Sequence, residues 1–317
     1  MFVLPLNSEG RLRAVSFAHG TGSHRDDSPS TQRVRFVSAP VIAHASAGAA
    51  GVAPDYLGMG KGPGRPPWMD IDSETTASLD MLRAARAFAS RTGHALEREV
   101  MVTGFSQGAS AALGLGRALE AGEDRWFRLG ALAPVSGAYD FGGAELPALL
   151  EGRLEPKSSV LYAAYTLVAF NRLHPTYDRP GEVFRAPYDS TVEALFDGAH
   201  TGEQLMRGTP GALDELLTGP AASCSRTRRA AGGGAARDRR RMHRLGTACP
   251  STALHGGRGR AGRHRQHRAL PGGSARQRRG RPGRRSGRCR LPRFRHLGSN
   301  VAATSSIVRW FGLPRRP

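Results

Sequence analysis

One short stretch of the chain combines residue types that suit nucleophilic chemistry. It is Gly104-Phe105-Ser106-Gln107-Gly108, which follows an apolar run and precedes a run of small residues. A G-x-S-x-G pattern between a strand and a helix forms a nucleophile elbow, in which a sharp turn exposes the serine hydroxyl and excludes side chains on both sides. The spacing therefore predicts that Ser106 is an activated nucleophile. The alternative interpretation is an ordinary glycine-rich turn.

The segments around this stretch predict the elements that would position it. Strands are predicted near residues 12–17, 51–57, 98–105 and 129–137, and helices over 40–46, 73–89 and 107–119, with Ser73 as a helix N-cap. This alternation predicts an α/β fold with a mostly parallel sheet covered on both faces. Because parallel strands end at one edge of a sheet, we expect His19-Gly20-Thr21, which follows the first of these strands, to lie near Ser106.

The alternation of strands and helices stops between Leu146 and Leu217. Helices are predicted over 158–173, 192–196 and 212–217, and the first carries the aromatic residues Tyr162, Tyr165 and Phe170, which we expect to be exposed. This pattern predicts a helical lid over the serine that contributes apolar walls to a substrate pocket. The alternative is a set of helices that pack on the core without a role in binding.

The basic residues are concentrated at the C-terminal end of the chain. The net charge is +20, but residues 221–317 hold 26 Arg, no Lys and one acidic residue, Asp238. The first 220 residues hold 20 basic and 25 acidic residues, so this part is mildly acidic. Any affinity for nucleic acid would therefore come from the C-terminal part alone.

Several classes of site and of location are not favoured by the sequence. Cys224, Cys249 and Cys289 match no metal or disulfide spacing. The loop near Lys61-Gly62 lacks the order of a phosphate-binding loop, so neither a metal nor a cofactor is expected. No apolar run has the length of a membrane span, and the N-terminus lacks the features of a signal peptide, which predicts a soluble chain. Because the sequence begins abruptly inside a predicted strand, export is left open.

Together these segments resemble the α/β-hydrolase family, in its bacterial lipase- and esterase-like branch. The resemblance covers about residues 3–218 and resumes at His296. The matching motifs are Ala18-His19-Gly20-Thr21, Ala53-Pro54-Asp55-Tyr56-Leu57-Gly58-Met59-Gly60, Leu79-Asp80-Met81-Leu82-Arg83-Ala84-Ala85-Arg86 and Gly104-Phe105-Ser106-Gln107-Gly108. The resemblance implies acyl transfer by a Ser–His–Asp triad on a small-molecule or lipid ester.

The resemblance also implies roles for particular residues. Ser106 corresponds to the nucleophile, and the backbone N–H of Gln107, with that of Gly20 or Thr21, to the oxyanion hole. The histidine comes last in the chain order of this family, which selects His296, because residues 301–311 after it predict a closing helix. The implied domains are a core over 1–145, a helical lid over 146–218, an Arg/Gly-rich segment over 219–294, and a histidine loop with its closing helix over 295–317.

The family pattern breaks between Pro220 and Phe294, where the strands and the acidic residue of the triad are missing. The sequence there is rich in Arg, Gly, Ala and Pro and is predicted to be irregular or disordered. One interpretation is a disordered segment that binds nucleic acid through phosphate contacts. The absence of Lys, of a regular repeat and of interleaved aromatic residues does not favour it.

The other interpretation is that residues 221–294 are translated out of frame between a compensating pair of frameshifts. Codons for residues 257–269, read one base later, permit Ala-Gly-Asp-Val-Gln-Val-Asp-Ile-Ala-Asn-Thr-Glu-His, which resembles the acid loop of the family. The acid would then fall at about Gly259. We favour this interpretation. Asp140, which follows the strand near residues 129–137, is a possible substitute acid, because some relatives place the acid there.

The sequence therefore predicts an α/β-hydrolase-type enzyme that cleaves carboxylic esters through an acyl-enzyme and needs no cofactor. Because the acid is missing, the activity of this exact chain is left open. The alternatives are a serine peptidase of the same fold, and a non-catalytic protein whose Arg-rich segment binds nucleic acid. The oligomeric state is not predicted.

Overall fold

The described part of the protein is built on a five-stranded sheet. The computed structural model describes residues 1–32, 36–219 and 295–312, so the predictions for residues 220–294 lie outside it. Within the described residues the strand order is β1-β3-β2-β4-β5; β1 pairs antiparallel with β3, and the other pairs are parallel. The strands are β1 (Phe2–Val3), β2 (Gly10–Ala18), β3 (Ala50–Val52), β4 (His94–Phe105) and β5 (Arg128–Val135).

Helices connect the strands and form a second group after β5. They are α1 (Ala39–Ser46), α2 (Ile71–Ala89), α3 (Gln107–Glu120), α4 (Leu146–Leu150), α5 (Pro156–Leu173), α6 (Val192–Leu195), α7 (Gly202–Gly208), α8 (Leu213–Leu216) and α9 (Arg295–Trp310). Shorter turns are a π-helical one at Phe141–Glu145 and 3₁₀ ones at Ser90–Thr92, Pro180–Glu182 and Tyr188–Ser190. The predicted α/β class with a mostly parallel sheet is confirmed.

Two helix starts that bear on the site differ from the prediction. The N-cap of α2 is Asp70, whose carboxylate accepts a hydrogen bond from the Ser73 N–H at 3.1 Å, so Ser73 lies inside the first turn. Both Asp and Ser are good N-cap residues, and the sequence pattern alone did not separate them. Helix α9 begins at Arg295 rather than at Val301. His296 therefore lies in the first turn of this helix and not in a loop before it.

The core occupies both faces of the sheet. On one face, Leu12 and Val100 of the strands pack with Leu82 of α2 and Leu115 of α3. On the other face, buried strand residues form a cluster with two residues of α9 and its end, namely Val15, Met101, Ile307 and Phe311. Alternate residues of a strand point to opposite faces, so this two-sided cover explains the unbroken apolar run Val100-Met101-Val102 in β4.

The helices after β5 form a cluster of their own. Tyr165 and Phe170 of α5 are only 4% and 8% exposed, which corrects the expectation that both are exposed, whereas Tyr162 is 40% exposed. Tyr165 packs in this cluster with Trp68, Phe196 and other apolar residues. The aromatic side chains of Tyr165 and Phe170 therefore mostly stabilise the group of helices after β5. Among the helices in the described ranges, none is both long enough and apolar enough to cross a bilayer.

Helix α9 is fixed to the sheet at its C-terminal end. Arg13 of β2 donates a hydrogen bond from Nη1 to the Phe311 carbonyl oxygen at 2.9 Å. The Phe311 ring also lies 6.0 Å from the ring of His44 on α1. His44 is 1% exposed, and neither of its ring nitrogens has a hydrogen-bond partner among the described residues. Loss of hydration lowers the pKa of His44 from 6.5 to about 4.

We expect His44 to make the fold sensitive to acid. Below pH 6.5 the unfolded chain binds a proton at this residue, whereas the folded chain does not until about pH 4, so stability is present above this window and is lost as the pH falls through it. Between pH 7 and pH 5 the loss is about 2 kcal/mol. Urea unfolding at both pH values, on the wild type and on His44→Leu, measures it. The variant should lose about 2 kcal/mol less than the wild type, and an equal loss in both proteins contradicts the prediction.

Candidate active site

Ser106 stands alone between β4 and α3 in a strained conformation. Its backbone angles are φ 57° and ψ −120°, a region that residues other than glycine rarely adopt. Its N–H donates a hydrogen bond to the carbonyl oxygen of Val135 at 3.0 Å, which ties the turn to the end of β5. Strain of this kind persists only where the surrounding structure enforces it, and it is concentrated at functional sites.

Close backbone contacts enforce this turn. A Cβ atom on Gly104 would overlap the carbonyl oxygen of Gly108, and a Cβ atom on Gly108 would overlap the carbonyl oxygen of Ala18. Both glycines are therefore required for the start of α3 to pack directly against the ends of β2 and β4. The register supports this arrangement, because Ala18 is paired with Gly104. The G-x-S-x-G segment thus has the geometry of a nucleophile elbow.

His296 lies within hydrogen-bonding distance of the serine. Its Nε2 atom is 3.0 Å from Ser106 Oγ. The Ser299 hydroxyl donates to the carbonyl oxygen of His296 at 2.6 Å and is 2.7 Å from the Ser136 hydroxyl. Because the one proton of Ser299 is used, the Ser136 hydroxyl is the donor in the second bond. These bonds fix the start of α9 to the residue that follows β5.

The surroundings of His296 favour its neutral form. The residue is exposed, but its ring lies 4.6 Å from the ring of Phe105, and partial desolvation lowers its pKa below the ordinary value of 6.5. The N-terminal end of a helix also disfavours a cation. At neutral pH the imidazole can therefore accept the proton of Ser106 through Nε2, provided that its own proton is on Nδ1.

No carboxylate in the described ranges forms a hydrogen bond or a salt bridge with His296. Asp140 lies in an exposed segment after β5, and the structure does not bring it into a hydrogen bond with this histidine. The position near Gly259, where the shifted reading frame places an acid, lies outside the described residues. The structure thus brings together a serine and a histidine, and the identity of a third group stays a prediction.

The segment after β2 lies beside the elbow. A Cβ atom on Gly20 would be 3.2 Å from the Phe105 ring, so Gly20 faces the residue that precedes Ser106. Gln107 is the first residue of α3, where backbone N–H groups have no acceptor within the helix. The Thr21 hydroxyl accepts a hydrogen bond from Trp68 Nε1 at 3.1 Å. Gly20 and Gln107 therefore lie beside the turn that carries Ser106, and Thr21 follows Gly20 in the chain.

His19 supports this segment and is not placed to act as a base. It is 1% exposed, and its Nδ1 atom lies 2.7 Å from the carbonyl oxygen of Gly20. Its ring stacks on that of Tyr56 at 4.3 Å, and the Tyr56 hydroxyl donates to the His19 carbonyl oxygen at 3.0 Å. Burial lowers the pKa of His19. A neutral imidazole thus braces the backbone that leads to Gly20.

Two further residues near the elbow, Trp68 and Glu74, carried no site prediction from the sequence. Trp68 stacks on Tyr165 of α5 with ring centroids 4.7 Å apart, and the Tyr165 hydroxyl donates to the Gly22 carbonyl oxygen at 3.4 Å. These contacts connect the helical unit to the segment after β2. Glu74 of α2 accepts a hydrogen bond from Gln107 Nε2 at 2.6 Å. Trp68, Tyr165, Glu74 and Gln107 line one narrow cavity together. Within the described ranges, no cluster of His, Cys, Asp and Glu could hold a metal ion.

The fold is similar to that of solved hydrolase structures. A protein from Legionella pneumophila assigned as a hydrolase superposes with a TM-score of 0.66 at 23% identity, covering 78% of this chain and 64% of that protein. The rice cell wall degrading esterase LipA from Xanthomonas oryzae superposes with a TM-score of 0.63 at 25% identity, covering 78% of this chain and 66% of the esterase. A variant of the same esterase gives a TM-score of 0.64 at 25% identity, covering 76% and 63%.

The chain thus spans less than two thirds of the length of these structures. No protein-family model matches it, and comparison with curated proteins finds no match. The sheet order, the elbow and the structural neighbours together show that this chain has an α/β-hydrolase fold.

Proposed function

We propose that the protein is a serine hydrolase that cleaves carboxylic esters through an acyl-enzyme. The observation that carries this proposal is the 3.0 Å contact between Ser106 Oγ and His296 Nε2 at a strained strand-to-helix turn. A serine hydroxyl becomes a useful nucleophile when a neutral imidazole is placed to take its proton. The name of the LipA neighbour, a cell wall degrading esterase, supports an ester as the substrate of this chain as well.

The reaction proceeds in two halves. Ser106 Oγ attacks the carbonyl carbon of the ester while His296 Nε2 takes the hydroxyl proton. The N–H groups of Gln107 and of Gly20 or Thr21 stabilise the negative oxygen of the tetrahedral intermediate. His296 then gives its proton to the departing alcohol, which leaves an acyl group on Ser106. A water molecule, deprotonated by His296, attacks this acyl group, and the carboxylic acid leaves as the serine regains its proton.

In this proposal the helical unit α4–α8 forms one wall of the substrate site. Trp68 contacts Thr21 through its indole N–H and stacks on Tyr165, and its ring centroid is 6.2 Å from that of the half-exposed Tyr162. An aromatic surface beside the oxyanion segment suits the acyl or alcohol portion of a small-molecule or lipid ester. In this proposal the unit acts as a lid over Ser106.

In this proposal the acid that orients His296 has two candidate sources. In the described sheet, β5 pairs with β4 alone, and its side chains are mostly only half-buried. A half-covered edge strand is the place where a further parallel strand would add. In this proposal residues 221–294 stand where the family has its further strands and acid loop, and Asp140 is the competing source of a carboxylate.

We expect Ser106→Ala to remove most of the ester turnover. Because the nucleophile is removed, hydrolysis of 4-nitrophenyl butyrate should fall by about 100-fold or more, and a fluorophosphonate probe should no longer add to the protein. Kinetic assays and intact-protein mass spectrometry measure the two effects. Ser110→Ala, which changes a serine one turn further along α3, serves as the matched control and should keep wild-type activity. Turnover in Ser106→Ala that equals that of the wild type would falsify the proposed function.

The rate of probe addition should depend on the protonation of His296. The base must be neutral to take the Ser106 proton, and its pKa lies below 6.5. The rate constant for fluorophosphonate addition should therefore fall as the pH drops below 6.5 and stay level between pH 7 and pH 8. Stopped-flow or gel-based labelling over pH 4.5–8 tests this expectation. An inflection above pH 7 would show that another group, or a cationic His296, controls the step.

The gene should reveal the source of the missing acid. If the segment is out of frame, the shifted frame across codons 221–294 contains no stop codon and encodes an apolar strand followed by Gly-Asp near codon 259. Sequencing the gene region decides this. As the complementary measurement, Asp140→Asn should leave the labelling rate unchanged. A stop codon in the shifted frame, together with a large loss in Asp140→Asn, would assign the acid to Asp140 instead.

A further inference from the structure

Glu74 is a buried carboxyl group that the proposed mechanism does not use. It lies in the first turn of α2 and is 1% exposed. Its Oε1 atom accepts the hydrogen bond from Gln107 Nε2 at 2.6 Å. Its buried Oε2 atom has no partner of good hydrogen-bond geometry among the described residues, although the backbone N–H of Met69 interacts with the carboxyl group. A buried carboxyl group with an unsatisfied oxygen costs free energy, so a feature of this kind calls for a reason.

Among the described residues, no cation interacts electrostatically with this carboxyl group. The titratable residues that interact with it electrostatically are Asp70, the N-cap of the same helix, and the buried Tyr56 and Tyr165 from the elements packed against it. Desolvation raises the pKa of Glu74 to about 8. At neutral pH the carboxyl group is therefore protonated, and the bond to Gln107 joins two neutral groups.

The partner of Glu74 occupies a special position in the site. Gln107 directly follows Ser106, is 7% exposed, and begins α3. Its backbone N–H is the donor assigned above to the oxyanion hole, whereas its side chain reaches α2. A hydrogen bond between two buried side chains restricts the rotation of both and so fixes the position of the Gln107 backbone. Donors of an oxyanion hole are effective only when they are held in place before the charge develops.

We propose that Glu74 is a positioning residue: by holding the Gln107 side chain, it aims the backbone N–H of Gln107 at the oxyanion. This inference rests on the proposed esterase function. It differs from a purely structural role in what it predicts. Loss of a purely structural contact lowers stability alone. Loss of the correct orientation of the Gln107 N–H lowers kcat and leaves KM nearly unchanged, because the charge that this N–H stabilises exists only in the transition state.

The experiment compares two substitutions at this position. Glu74→Leu keeps the volume but removes the acceptor, so kcat on 4-nitrophenyl butyrate should fall by about 10-fold while KM changes by less than about 2-fold. Glu74→Gln keeps a neutral oxygen that accepts from Gln107, so it should retain kcat. Asp72→Asn, an exposed acid on the same turn, is the matched control. All values are referred to the fraction of enzyme that a fluorophosphonate probe labels.

If Glu74→Leu does not fold, a second variant tests the positioning role. Gln107→Leu removes the side-chain bond but keeps the backbone N–H, and it should lower kcat by a similar factor. The double variant should be no worse than either single one, because the two residues act through one bond. Wild-type kcat in Glu74→Leu or Gln107→Leu overturns the inference, as does an equal loss in Glu74→Gln and Glu74→Leu. Wild-type turnover in Ser106→Ala instead overturns the proposed function, so the two failures are distinguishable.

Discussion

The close approach of three backbone segments at the elbow is the constraint on which the site depends. The start of α3 packs so tightly on the ends of β2 and β4 that Gly104 and Gly108 leave no space for a Cβ atom. Ser106, between them, has to adopt φ 57° at a cost of about 1–3 kcal/mol. The same packing places the Gln107 N–H next to the segment that contains Gly20. One steric constraint therefore both exposes the hydroxyl and arranges the proposed oxyanion donors around it.

The histidine reaches this turn by an independent route. His296 is separated from Ser106 by 190 positions, and its helix is held by contacts at both ends. The hydroxyls of Ser136 and Ser299 fix the first turn of α9 to β5, and Arg13 and the burial of Ile307 fix the last turn to β2. All of these anchors lie in the described core. The contact between the serine and the histidine thus follows from the packing of α9 on the sheet.

Much of this arrangement could be predicted from the sequence, because it depends on periodicity and on backbone sterics. The apolar strands, the small-residue start of α3 and the two glycines of the elbow leave local signals. Features that depend on tertiary contacts could not be predicted in this way. The burial of Tyr165, for example, requires Trp68 from a distant loop. The start of α9 at Arg295 was also not predicted, and the residues before it lie outside the described ranges. Glu74 did leave a signal, since it precedes the buried Ser78 and Leu82 by four and eight positions on one helix face.

The two halves of the proposed site differ in completeness. The oxyanion side has the Ser106 turn and the adjacent segment that contains Gly20. It also has the hydrogen bond from Gln107 to Glu74, which restrains the Gln107 side chain. The proton-transfer side has Nε2 of His296 at the serine, but no carboxylate in the described ranges bonds to its ring. In a well-studied triad, loss of the acid alone costs about 10⁴ in kcat, while the oxyanion hole and substrate binding retain about 10³–10⁴ over water. A fold of this kind can therefore keep measurable ester chemistry through its oxyanion side while the orientation of the base limits the rate.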